Sequence, residues 1–156
     1  MKNAETERHI MRSFSAPFLV MVGILAGTLG HAAPGLAAER QPAPKDAYAY
    51  IGWPNDGEVV KQRFKVWLGL RNFGVAPSGV VKPNTGHHHL LIDTDLPPLD
   101  EEIPNDKKHI HLGGGQTETF VELPPGRHTI QLLMGDANHV PHDPPVMSKK
   151  ITVIVR

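Results

Sequence analysis

The chain has 156 residues, of which 16 are Lys or Arg and 16 are Asp or Glu, so its formal net charge is zero. This balance argues against a nucleic-acid partner, because nucleic-acid-binding domains usually carry a clustered basic excess. The chain contains no cysteine, which excludes disulfides, zinc–thiolate sites, cysteine-ligated copper and cysteine-ligated iron–sulfur clusters.

Residues 1–38 have the three parts of a secretory signal peptide. A basic start with Lys2, Arg8 and Arg12 precedes an apolar run at 14–29, and small residues follow at 35–38. The run is shorter than the roughly 18–20 apolar residues that span a bilayer. We therefore expect cleavage, a periplasmic or secreted protein, and no stable membrane anchor after cleavage.

The part after the signal peptide predicts one domain made of strands. A flexible lead-in is expected at residues 39–46 and a single domain at 47–156. Residues 63–70 alternate between two faces with period two, one of them carrying Phe64, Val66, Leu68 and Leu70, which is typical of a half-buried strand. Further strand patterns occur at 47–51, 87–93, 109–112, 117–123, 127–134 and 149–155. With turns rich in Gly and Pro and no helical periodicity, about seven strands predict an all-β, immunoglobulin-like antiparallel β-sandwich.

Histidines are the most informative residues of the predicted domain, since eight of the ten lie between His87 and His142. Side chains two apart on a strand share a face, so His87 and His89 point together, and so do His109 and His111. If the two strands are neighbours, these four imidazoles form a metal site. Imidazole sets of this kind bind copper or zinc.

Several nearby residues are further candidates for the same site. Leu90 and Ile92 are expected to enter the core on the side of His88, which favours a structural role for His88. Candidates for additional ligands, or for side chains that orient a ligand through its second nitrogen, are His88, His139, His142, Asp93 and Asp136.

A second interpretation keeps the fold and omits the metal. Neutral imidazole offers one donor and one acceptor, so the histidines can form a structural hydrogen-bond network. The protein would then be a non-catalytic envelope binding or scaffold module with an envelope protein as partner. Catalysis is favoured least, because the Gly-x-Ser-x-Gly and His-Glu-x-x-His motifs are absent. The sequence thus favours metal binding or transfer over enzymatic activity.

Several spaced motifs carry a resemblance to a known family. They are Gly-His-His-His-Leu-Leu-Ile-Asp at 86–93, Ile-Pro at 103–104, His-Ile-His-Leu-Gly-Gly-Gly-Gln-Thr at 109–117 and Pro-Pro-Gly-Arg-His-Thr at 124–129. In these residues the chain resembles a family of exported bacterial domains catalogued as domain-of-unknown-function family four-three-nine-nine. The resemblance covers residues 80–155 and supports the domain boundaries. It implies no settled activity, so the chemistry rests on the residues themselves.

Overall fold

The structure is a computed structural model, and it describes residues 39–156. The predicted signal peptide, residues 1–38, lies outside the described residues. The described part forms nine strands and contains no helix able to cross a bilayer. The strands are β1 (Tyr48–Trp53), β2 (Glu58–Val60), β3 (Arg63–Arg71), β4 (Gly74–Val75), β5 (Thr85–Ile92), β6 (His109–Leu112), β7 (Glu118–Glu122), β8 (Gly126–Gly135) and β9 (Ile151–Val155).

The strands form two sheets. The smaller sheet has the order β1-β3-β7, and the larger has the order β2-β9-β8-β5-β4, with β6 also paired to β5. Most pairs are antiparallel, whereas β2 with β9 and β4 with β5 are parallel. The predicted all-β sandwich is confirmed. It has more strands than the predicted seven because β2 and β4 are pieces of only three and two residues.

The core lies between the sheets and follows from the alternation of apolar residues. Phe64, Val66 and Leu68 of β3 point inward and are at most 6% exposed. Leu90 and Ile92 of β5 belong to the same cluster of buried residues. Complete burial of each such side chain contributes about 1.5–3 kcal/mol. As predicted, the inward face of β5 is therefore the one that carries these two residues.

Strand β5 positions the histidines because it has neighbours along both edges. On one edge, β8 pairs with it so that His87 is opposite Gly135. On the other, β6 pairs with it so that His89 is opposite His111. The face of β5 away from the core thus carries His87, His89 and Leu91, and a second small apolar cluster around Leu91 continues that face.

The lead-in at residues 39–46 is attached to the domain. The amide of Ala43 donates to the Asp143 carbonyl at 3.0 Å, and the Asp143 amide donates to the Gln41 carbonyl at 2.9 Å. The guanidinium of Arg40 donates to the carbonyls of Pro141 and His142. These bonds connect the segment predicted to be flexible with the loop between β8 and β9.

Candidate metal centre

Three histidines meet on the face of β5 and β6 that is turned away from the core. His89 and His111 are opposite each other across the strand pair, and His87 lies two residues before His89. Each of the three offers a nitrogen atom within 4.8 Å of the others. His87 and His89 are fully buried, and His111 is half-buried. The structure thus brings together three of the four histidines of the predicted site.

A fourth ring, that of His139, comes from the loop that follows β8. Its centre lies 4.9 Å from the ring centre of His87, 4.8 Å from that of His111 and 5.9 Å from that of His89. His139 is half-buried, like His111. Of the additional candidates, His139 is therefore the one whose ring joins the group.

The backbone around His139 is held by Asp136. The Asp136 carboxylate accepts hydrogen bonds from the amides of Asn138 and Val140 at 2.8 and 2.9 Å. In addition, the His139 carbonyl accepts a hydrogen bond from the amide of Ile103 at 2.9 Å. His139 has a φ of 68°, a left-handed conformation that is uncommon outside glycine. Asp136 thus shapes the loop, rather than orienting a ring through its second nitrogen.

His109 is not part of the group, although the spacing predicts it. It lies opposite Leu91, further along the strand pair than His111. Its Nδ1 is 2.9 Å from Asp106 Oδ1, and the same oxygen accepts the amide of Lys108 at 2.7 Å. The turn before β6 thus engages this imidazole. An Asp three residues before a histidine at the start of a strand is the sequence signal for such a pairing.

The remaining candidates lie apart from the group. His88 points to the core, where its Nδ1 is 3.1 Å from a backbone carbonyl. The His142 ring packs edge-on against Phe73 with 4.9 Å between ring centres. Asp93 Oδ2 lies 2.6 Å from Nδ1 of His128. Asp93 therefore orients a histidine, but one at the end of the sheet.

The grouped imidazoles have unused hydrogen-bonding capacity. His87 Nε2 and His89 Nε2 are 3.0 Å apart and share one hydrogen bond. Within residues 39–156, Nδ1 of His87, Nδ1 of His89 and Nε2 of His111 are buried without a partner. An unpartnered buried polar group costs about 1–3 kcal/mol. A cation bound by imidazole nitrogens fits this environment, because it can replace the hydrogen bond between the two Nε2 atoms and engage the unpaired Nε2 of His111.

Burial also keeps His87, His89 and His111 in the neutral form that binds metals. It lowers the pKa of His87 to about 4 and that of His89 to about 2, with smaller effects of the neighbouring histidines. Burial and the neighbouring His139 lower the pKa of His111 as well. Metal ions bind the neutral imidazole and compete with protons for it. At neutral pH these rings are therefore ready to coordinate a cation.

Two glycines make room for the rings. A Cβ atom at Gly135 would lie 3.0 Å from Nε2 of His89 and 3.2 Å from Cα of His139, tighter than most real Cβ contacts, so these neighbours would have to move by a few tenths of an ångström. A Cβ atom at Gly113 would overlap the ring of His111. The arrangement of these rings thus depends on glycine at both positions.

A family model described as "Domain of unknown function (DUF4399)" matches residues 66–156. No curated protein and no solved structure matches the chain significantly. The matched range includes all four grouped rings, and it confirms the resemblance that was noted from the spaced motifs. The chain therefore belongs to the family described as Domain of unknown function, DUF4399.

Proposed function

We propose that this chain is an exported metal-binding domain that holds one copper or zinc ion at His87, His89 and His111. The supporting observation is a set of three buried imidazoles with nitrogens within 4.8 Å of one another and with unpartnered polar atoms. Two nitrogens about 2.0–2.1 Å from one tetrahedral ion are about 3.3 Å apart. The Nε2 atoms of His87 and His89, at 3.0 Å, are already near that separation.

The role of such a site is binding or transfer of the ion. His87 and His89 are fully buried, whereas His111 and His139 are half-buried. An ion therefore approaches the group from the side of His111 and His139. We propose that the protein works in the periplasm or outside the cell, on the ground of the signal-peptide pattern at residues 1–38. An envelope protein that delivers or receives the ion is the partner that this role implies.

A purely structural network is the competing explanation for the same histidines. The hydrogen bond between His87 and His89 favours it. Against it, a satisfied network pairs its polar atoms, whereas three nitrogens of this group have no partner within the described residues. An ion held by the Nε2 atoms of His87 and His89 would engage one of these three nitrogens, Nε2 of His111, which the network leaves unpaired.

Calorimetric titration of the chelator-treated protein with zinc or copper tests the proposal. We expect about one equivalent to bind at neutral pH, with release of protons only when the pH falls toward the lowered pKa of His87, about 4, because the buried rings are neutral above it. His89→Ala removes a central ligand and should weaken binding by at least about tenfold. His128→Ala is the matched control, because His128 pairs with Asp93 away from the group. A flat titration at micromolar metal, or unchanged binding by His89→Ala, would refute the proposal.

Unfolding of a His89→Gln variant separates the metal proposal from the network. If the histidines are a metal site, the variant should lose stability against the original protein mainly when metal is present. If they are a structural network, the loss should be the same in chelator, because the partners of His89 are left unpaired either way. An equal loss under both conditions would favour the network.

A further inference from the structure

The four grouped rings occupy the corners of a nearly regular tetrahedron. The separations of their centres are 4.9 Å for His87–His89, 4.9 Å for His87–His111, 4.9 Å for His87–His139, 5.1 Å for His89–His111, 5.9 Å for His89–His139 and 4.8 Å for His111–His139. In a square-planar set both diagonals exceed the sides by a factor of about 1.4. Here the longest separation is that of His89 and His139, at 5.9 Å. The other two rings, His87 and His111, are only 4.9 Å apart, so the four rings do not form a square with two long diagonals.

The size of the tetrahedron also agrees with one central ion. With about 2.0–2.1 Å from zinc to an imidazole nitrogen and about 1.1 Å from that nitrogen to the ring centre, ring centres of a tetrahedral complex are about 5.2 Å apart. Five of the six observed separations lie between 4.8 and 5.1 Å, and the sixth is 5.9 Å. The rings are thus close to the positions that coordination requires.

We propose that His139 is the fourth ligand and that the group is a closed, tetrahedral, four-imidazole site for zinc. This inference rests on the proposed function and refines it. Tetrahedral nitrogen coordination suits zinc, whereas copper(II) and nickel(II) favour tetragonal geometry. A site with four protein ligands keeps no position for water, so it serves binding or transfer of the ion and not hydrolysis.

The local structure explains how His139 reaches its ligand position. Its nitrogens are not among those already within 4.8 Å of one another, but its ring centre is in place. A turn of the ring about its bond to Cβ changes the direction of the nitrogens and leaves the ring centre nearly in place, so coordination by His139 requires only such a turn. The bonds to Asp136 and Ile103 hold the backbone while this happens.

The test is the visible spectrum of the cobalt(II)-substituted full-length protein together with its zinc affinity. Tetrahedral cobalt(II) absorbs far more strongly in the visible than five- or six-coordinate cobalt(II). His139→Asn removes the imidazole and keeps a residue that tolerates positive φ. We expect an intense band for the original protein. For the variant we expect a weak band and zinc affinity lower by at least about tenfold.

Two controls separate a failure of the His139 proposal from a failure of the metal function: a substitution at the neighbouring Asn138 and the wild-type protein. Asn138→Ala changes an exposed side chain of the same loop, and it should leave band and affinity unchanged. If His139→Asn keeps the intense band and the affinity, His139 is not a ligand, while the proposed metal function stands. If the original protein binds neither cobalt nor zinc, the metal function itself is refuted.

Discussion

Because Gly135 has no side chain, the ring of His89 and the backbone of His139 can both lie close to it. The residue lies opposite His87 in the β5–β8 pair, and the space its Cβ atom would need is taken by His89 Nε2 and by the backbone of His139. Backbone atoms cannot move aside as the end of a flexible side chain can. The position is therefore sensitive to even one added carbon atom.

Gly135→Ala should lower both the stability and the metal affinity of the protein. Overpacking of a filled interior costs about 1–3 kcal/mol, and here the displaced groups are His89 and the backbone of His139, both proposed ligands. Chemical unfolding in chelator and a zinc titration measure the two effects. Gly52→Ala is the control, since its Cβ would be in ordinary contact at 3.5 Å from Trp67. A Gly135→Ala variant with unchanged zinc affinity would contradict this view of the site.

The proposed ligands were predictable to different degrees. Strand alternation was enough to place His87 and His89 on one face and His88 on the other. The same rule includes His109 with His111, yet Asp106 engages His109 through its side chain. His109 does share that face, because it lies opposite Leu91. Alternation therefore gives the correct face for all four side chains, but it does not show which of them a nearby carboxylate engages.

Among the elements, the loop after β8 contributes most that strand patterns do not predict. It places His139 beside rings from β5 and β6, and its shape depends on the Asp136 carboxylate, which is only 4% exposed. Strands and their faces follow from period-two alternation. A loop conformation follows from particular hydrogen bonds and from a positive φ, which no periodicity encodes. The sequence alone could therefore list His139 as a candidate but could not select it over His142.

Asp136→Ala should weaken metal binding even though Asp136 touches no ring of the group. The variant leaves the amides of Asn138 and Val140 without their acceptor, which costs about 1–3 kcal/mol and releases the loop that holds His139. Asp136→Asn keeps a side-chain oxygen as acceptor and should recover most of the affinity. Zinc titrations of both variants provide the comparison. Equal affinity of Asp136→Ala and the original protein would show that the loop does not position a ligand.

For the molecule as a whole, stability without disulfides rests on the two packed sheets and on contacts at their ends. One such contact joins Asp93, just after β5, to His128 in β8 at 2.6 Å. Burial alone would lower the pKa of His128, but the hydrogen bonds to Asp93 and to the Pro124 carbonyl raise it above 6.5. Burial alone would raise the pKa of Asp93, but the bonds from His128 and Thr129 bring it below 3.8.

This pair should give the fold its greatest added stability in mildly acidic solution. The contribution of His128 is complete below its unfolded pKa of 6.5 and is lost as the pH rises through its higher folded value. That of Asp93 is present above 3.8 and is lost as the pH falls through its lower folded value. Asp93→Asn should therefore destabilise the protein more at pH ~6 than at pH ~9, by up to about 1 kcal/mol.

Urea unfolding in chelator at the two pH values measures this difference. Asp95→Asn is the matched control, because Asp95 is an exposed carboxylate paired with Lys150 and no histidine. Its effect should be nearly the same at both pH values. A pH-independent effect of Asp93→Asn would mean that the pair with His128 contributes nothing through its charge.

The position of β5 in the middle of the larger sheet has a consequence for how this chain can vary. Successive residues of the strand serve the apolar interior and the imidazole group in turn. Inserting or deleting one residue there would swap the two sets, sending Leu90 to the loops and His89 into the interior. A change in the length of this strand should therefore disrupt both the core packing and the grouping of the imidazoles, whereas a change in the length of a surrounding loop leaves the two faces of the strand as they are.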